Sequence, residues 1–137
     1  MIVLDTHVLV WALENHRFLG LKAAAVIDEA TSSDGAYVSA MTCWEVSMLA
    51  NRGKLEFRQG VRAWMEGALA QSGIFLTPVN LEIGIDAGAL PGKVHGDPCD
   101  RIIMATARSL GCPLLTGDGA ILDYAAGGHL AAIDARR

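Results

Sequence analysis

The chain reads as an α/β protein, with an open parallel sheet covered by helices on both faces. Two observations predict this. Five short, nearly all-apolar runs recur along the chain, and between them lie longer stretches with helical spacing of apolar residues. The runs are Met1–Asp5, Ala36–Ser39, Ile74–Val79, Pro113–Thr116 and Leu130–Ile133. Such continuity, without polar alternation, is expected of strands buried on both faces. Four of the intervening stretches carry a helical stripe: Leu21, Ala25 and Ile27; Met41, Trp44, Met48 and Leu49; Val61, Trp64, Met65, Ala68 and Leu69; Ile102, Ile103, Ala105, Thr106 and Leu110. Two shorter helices are expected near His7 and near Ala120, where Asp5 or Thr6 and Asp118 are natural N-caps. Gly53, Gly73, Pro91–Gly92, Gly96, Gly111–Pro113 and Gly127–Gly128 punctuate the pattern, and none of these breaks is as long as an interdomain linker. No repeat or low-complexity segment occurs.

Bulk composition narrows the class. The 137 residues suit one domain spanning 1–137; 52% are hydrophobic and 19% charged, enough for a core and too little charge for disorder. No run of 18 apolar residues offers a membrane span, and Asp5 interrupts the start as no signal peptide would. Cys43, Cys99 and Cys112, odd in number and lacking Cys-x-x-Cys spacing, read as buried thiols of a cytoplasmic protein. The net charge of −4 argues mildly against a protein that coats nucleic acid, yet suits an enzyme with carboxylates gathered in one pocket.

The acidic residues are the informative ones. Ligands of open α/β sheets sit beyond the carboxyl ends of the strands. Asp5 closes the first strand, and Asp118 follows two residues after Thr116, which closes the fourth. Singly, each is better read as a cap; together at one sheet edge they point to a site. Glu45 has Met41, Thr42, Met48 and Leu49 as helical neighbours, so it lies on or beside an apolar stripe. A carboxylate there needs a compensating charge, either from a cation or from an arginine such as Arg101. In His95–Arg101, Pro98 suits the first helical turn and Asp97 the N-cap, which makes Asp100 the third helical residue, facing the sheet edge. Asp100 could also serve only the helix dipole. Clustered carboxylates repel unless a cation is present, and an all-oxygen cluster suits Mg²⁺ or Mn²⁺. Such an ion activates water and neutralises a phosphoryl group, which is the chemistry of phosphodiester hydrolysis.

Other chemistries lack their motifs: there is no phosphate loop, dinucleotide fingerprint or serine-hydrolase elbow. The four histidines have no ligand spacing. His16 and His129 read as surface residues; His7 and His95 flank the acids, where they could meet substrate or water or be structural. Arg52, Lys54, Arg58 and Arg62, set against Glu56, are the best basic patch for RNA, with Arg136–Arg137 a second; a merely solvated face is an equal reading. Trp11, Trp44 and Trp64 sit at helical spacing and are expected in the core or a dimer contact.

Four segments resemble, in order, the motifs of the PIN-domain family, in particular the VapC-type toxins of bacterial toxin–antitoxin pairs. They are I-V-L-D-T-H-V-L-V-W, S-A-M-T-C-W-E-V, H-G-D-P-C-D-R-I-I-M-A-T-A and L-L-T-G-D-G-A-I, with Asp5, Glu45, Asp100 and Asp118 in the acidic positions. The resemblance implies a three-layer α/β/α sandwich with a central parallel sheet, and a Mg²⁺- or Mn²⁺-dependent endoribonuclease. It also implies a cognate antitoxin that blocks the site, and commonly a homodimer. Thr6 and Thr116 match positions whose hydroxyls order the acidic pocket, Asp100 matches the ligand, and Asp97 stands beside it as a support or cap. Gly117 and Gly119 are expected to make the loop around Asp118 pliable. Two alternatives remain: a catalytically silent module that binds RNA or protein, and a metal-dependent phosphatase of small phosphomonoesters. The phosphatase would favour D-x-D after the first strand, where this chain has His7.

Overall fold

The computed structural model describes residues 1–94 and 96–137. Five strands form one parallel sheet: β1 (Ile2–Leu4), β2 (Ala36–Ser39), β3 (Ile74–Thr77), β4 (Leu114–Thr116) and β5 (Ala132–Asp134), in the order β3-β2-β1-β4-β5. The register pairs Val3 with Tyr37 on one side and Leu4 with Leu115 on the other.

Successive side chains of a strand point to opposite faces, so each strand feeds two cores. Ile2 and Leu4 enter one core with α1 (Thr6–Leu13), α2 (Leu21–Thr31) and α4 (Val61–Leu69). Val3 enters the other with α5 (Leu81–Gly88), α6 (Pro98–Leu110) and α7 (Gly119–Ala126). Leu115 and Leu114 divide the same way. The result is the expected three-layer α/β/α sandwich. α3 (Ala40–Asn51) packs on both α4 and α6: its Val46 lies in the first core and its Met41 against the second. That straddling position carries its remaining face to the sheet edge.

From β1 the chain runs to β2 and β3 on one side, then returns past β1 to β4 and β5 on the other. The loops leaving β1 and β4 therefore diverge, opening a crevice between their carboxyl ends.

The differences from expectation have local causes. β3 stops at Thr77 because Pro78 cannot donate to the ladder. α5 was not anticipated: Gly84 and Gly88 lower its helix propensity, while Asn80 caps it by accepting from the Ile83 amide at 2.9 Å. Trp64 is buried, stacks on Phe57 and donates Nε1–H to Glu14. Trp44, in contrast, is 55% exposed, so its helical spacing did not place it in the core. Cys99 and Cys112 are buried free thiols and Cys43 is half-buried. Among the described residues, no helix is long and apolar enough to cross a membrane.

Candidate metal centre

Asp5 follows β1 directly and is the N-cap of α1. It is 2% exposed, yet both carboxylate oxygens are engaged: Oδ1 accepts from the Thr6 amide at 2.8 Å and Oδ2 from the Thr116 hydroxyl at 2.7 Å. The Thr116 oxygen also accepts from the Asp118 amide at 3.0 Å, so one hydroxyl ties the end of β1 to the loop after β4. The Thr6 and Thr42 hydroxyls lie 3.0 Å apart, joining the start of α1 to the first turn of α3. Glu45 stands one turn further along α3 and is half-buried.

Asp118 caps α7, its Oδ1 accepting from Ala120 and Ile121 amides at 2.8 and 3.3 Å. Asp97 caps α6, its Oδ1 accepting from the Asp100 amide at 3.1 Å, and Pro98 opens the helix as expected. Capping and site formation are thus not competing roles. For Asp97 and Asp118 the recorded cap bonds fall on one carboxylate oxygen, and each also faces the crevice.

These side chains meet in a cleft of about 340 Å³. Asp5, Glu45, Asp97, Asp100 and Asp118 line it on the acidic side, and Val10, Trp11, Leu49 and Leu55 form an apolar wall. The crowding has an electrostatic signature. The Asp100 carboxyl is pushed up to about 7, first by burial and then by the charges of Asp5, Asp97, Asp118 and Glu45. Burial, and then the neighbouring Glu45 carboxylate, push the Cys99 thiol far upward, so it offers neither a nucleophile nor a soft ligand.

Among the described residues, no group of three or more His, Cys, Asp or Glu side chains is placed so that it could hold a metal ion. The donor set nevertheless fits Mg²⁺ or Mn²⁺. These hard ions take oxygen ligands, and Mg²⁺ keeps several waters while binding one or two carboxylates directly. The carboxylate oxygens that line the cleft are donors of that kind.

His7 plays a part that its sequence position did not reveal. Its Nε2 accepts from the Gly117 amide at 2.8 Å, and its Nδ1 lies 3.7 Å from Asp5 Oδ2. Gly117 is correspondingly not a source of pliability. A Cβ there would stand 2.9 Å from the Trp11 ring and 3.2 Å from His7 Nε2, so glycine is needed for close approach. Gly119 has open space around it. His16 and His129 are exposed, as expected, and His95 lies outside the described residues.

Arg52, Lys54 and Arg58 are exposed on the segment joining α3 to α4, and Arg62 is exposed on α4, 3.9 Å from Glu66. Leu55, within that segment, lines the acidic cleft and also an adjoining groove to which Arg58 contributes. The basic segment therefore borders the cleft. Arg101, considered above as a partner for Glu45, donates its Nε–H to the Ala87 carbonyl at 2.8 Å. Of the C-terminal pair, Arg136 reaches Gly117 O (3.4 Å), whereas the Arg137 carbonyl accepts from the Lys22 and Ala23 amides at the start of α2.

The arrangement has relatives. The chain is 32% identical over 117 residues to ribonuclease VapC22 of Mycobacterium tuberculosis, covering 85% of this chain and 86% of that protein. Its fold matches VapBC2 from Rickettsia felis, solved bound to a promoter DNA fragment, with a TM-score of 0.70 and 15% identity over 98% of each chain. It also matches VapBC-1 from nontypeable Haemophilus influenzae, with a TM-score of 0.66 and 22% identity over the full length of both. The family model described as the PIN domain matches residues 2–127, which contain all five carboxylates of the cleft, and the chain belongs to the PIN-domain family.

Proposed function

We propose that this protein is a Mg²⁺- or Mn²⁺-dependent endoribonuclease, the toxin of a toxin–antitoxin pair, which cuts RNA phosphodiester bonds with an activated water. The observation that carries the reading is the convergence of Asp5, Glu45, Asp100 and Asp118. They come from four separate elements, in a cleft crowded enough to raise Asp100 to about 7. Similarity to ribonuclease VapC22 supports RNA as the substrate, and the VapBC complexes among the fold neighbours support an antitoxin partner.

In this reading Asp5, Asp100 and Asp118 hold the ion, directly or through water, and Glu45 completes the pocket. When bound, the ion supplies acidification of water and neutralisation of the charge that builds on the phosphoryl oxygens. The protein's own groups do the rest. Thr116 and the Thr6 amide hold Asp5 in place, Asp97 sets the first turn of α6 so that Asp100 faces the cleft, and Thr6 links α1 to the helix bearing Glu45. Arg52, Lys54, Arg58 and Arg62 attract the RNA backbone toward the cleft. The protein works as a cytoplasmic homodimer whose antitoxin covers the cleft. A silent binding module would have no need to retain all four acids, and a phosphatase acting through a D-x-D nucleophile meets His7 in place of its second acid.

The test is cleavage of total cellular RNA with the new ends mapped by sequencing. Wild type and Asp5→Asn are compared in Mg²⁺, in Mn²⁺ and in chelator. Discrete ends that require both the ion and Asp5 are expected. Folded, antitoxin-free protein that yields no metal-dependent ends would overturn the proposal.

A further inference from the structure

We propose that His7 is a positioning residue of the metal centre, acting on Asp118 through the Gly117 peptide; this rests on the reading of the carboxylate cleft given above. Asp5 and Asp118 follow neighbouring strands, and their charges push apart whenever the cleft holds no cation. Two ties oppose that push. One is the Thr116 hydroxyl, which bonds Asp5 Oδ2 and the Asp118 amide. The other is the His7 ring, which accepts from the Gly117 amide at 2.8 Å and places Nδ1 3.7 Å from the same Asp5 oxygen.

The packing around Gly117 shows that this loop is wedged and not merely touched. Trp11 lies one turn beyond His7 on α1, with ring centroids 4.8 Å apart and edge to face. A Cβ on Gly117 would collide with that Trp11 ring. On the far side Arg136 reaches the Gly117 carbonyl at 3.4 Å, and its guanidinium lies 5.1 Å from the Trp11 ring and 5.3 Å from Phe18. Gly117, the residue immediately before Asp118, is thus held at its N–H by α1 and at its C=O by the C-terminal segment.

The role follows from which atom of His7 is used. Its Nε2 lone pair is taken by an amide, so in this arrangement it is not free to draw a proton from water; the ring's own proton sits on Nδ1, on the Asp5 side. A phenyl ring would pack on Trp11 equally well but could not accept from Gly117. Partners one step removed from a metal typically change its affinity about 10–100-fold. Loosening Gly117 lets Asp118 and the first turn of α7 move away from Asp5.

The experiment compares wild type with His7→Phe, which keeps a ring and removes the acceptor, and His7→Gln, which offers an amide oxygen in its place. Two readouts are taken: hydrogen exchange across the Gly117–Ala120 segment in chelator, and Mn²⁺ affinity by calorimetry, with Asp5→Asn as reference. His7→Phe should lose protection at that segment and bind Mn²⁺ about 10–100-fold more weakly at an unchanged fold, while His7→Gln recovers most of both. Unchanged Mn²⁺ affinity in His7→Phe would overturn the proposal, and so would a His7→Gln variant as defective as His7→Phe. If wild type takes up Mn²⁺ no better than Asp5→Asn, while His7→Phe still loses protection, the metal reading itself falls and takes this role with it.

Discussion

Replacing Thr116 by valine keeps the shape of the side chain and removes one oxygen. That oxygen donates to Asp5 Oδ2 at 2.7 Å and accepts from the Asp118 amide at 3.0 Å. Asp5 is 2% exposed, so water cannot take the place of the lost donor. A hydrogen bond to a charged group contributes about 1.5–3 kcal/mol, and the half-exposed Asp118 amide adds at most about 1 kcal/mol. The expected loss is about 2–4 kcal/mol, a large share of the 5–15 kcal/mol typical of a domain. For a chain of this length each kcal/mol moves Tm by about 3–5 °C, so Tm should fall by roughly 6–20 °C. The assay is thermal unfolding by circular dichroism in chelator at pH 7.5. Thr116→Ser, which retains the hydroxyl, should fall much less. A double-mutant cycle with Asp5→Ala isolates the pair, and a coupling of about 1–3 kcal/mol is expected for groups in direct contact. A Thr116→Val protein that melts with wild type, or a cycle that is simply additive, would refute the reasoning that this hydroxyl holds the buried carboxylate.

Two further outcomes are expected. Asp100 titrates near 7 when folded against an ordinary value of 3.8, because burial and then its carboxylate neighbours disfavour its charge. The folded state therefore binds the proton more tightly, and the stability this confers is complete below about pH 4 and lost as pH rises through about 7. Melting curves in chelator from pH 4.5 to 8 should show Asp100→Asn gaining on wild type as pH rises; a difference that does not change with pH would contradict this. Saturating Mg²⁺ should reverse the trend in wild type. For RNA binding, measured in the Asp5→Asn background, replacing Arg52, Lys54 and Arg58 by alanine should flatten the dependence of log K on log salt by about 0.7 per lost phosphate contact. Arg62→Ala should matter less, since Arg62 already lies 3.9 Å from Glu66; an unchanged slope in the triple variant would remove the segment from the RNA-binding face.

Much of the architecture was legible along the chain because it is made by local rules. Short all-apolar runs such as Ile2–Leu4, alternating with helical stretches, read as strands buried on both faces, and all five parallel strands fall on or within two residues of the expected runs. Asp5, Asp97 and Asp118 were legible as caps, since capping is decided within three residues. α5 was not, because its two glycines mask a helix that gains its stability by packing Ile83 and Ala87 into a core. For Trp44, expected in the core or a dimer contact, the fold decides only against the core: helical spacing names a face of a helix, and whether anything covers that face depends on the rest of the fold.

The amino-acid sequence alone determined which carboxylates the strands and caps carry, and it pointed to one edge of the sheet as the place where they meet. The tertiary structure decided what restrains them. The Thr116 hydroxyl was anticipated through the family resemblance, but its partner Asp5 lies 111 positions away, and the His7–Gly117 bond, spanning 110, leaves no periodic or motif signal. Gly117 shows the difference most plainly. Beside Asp118 it reads as a loosened loop, and in the fold it is the one residue small enough to let Trp11 and His7 close on the backbone. Local propensity acts through neighbours in the chain, whereas excluded volume and hydrogen bonding act between whatever the fold brings together.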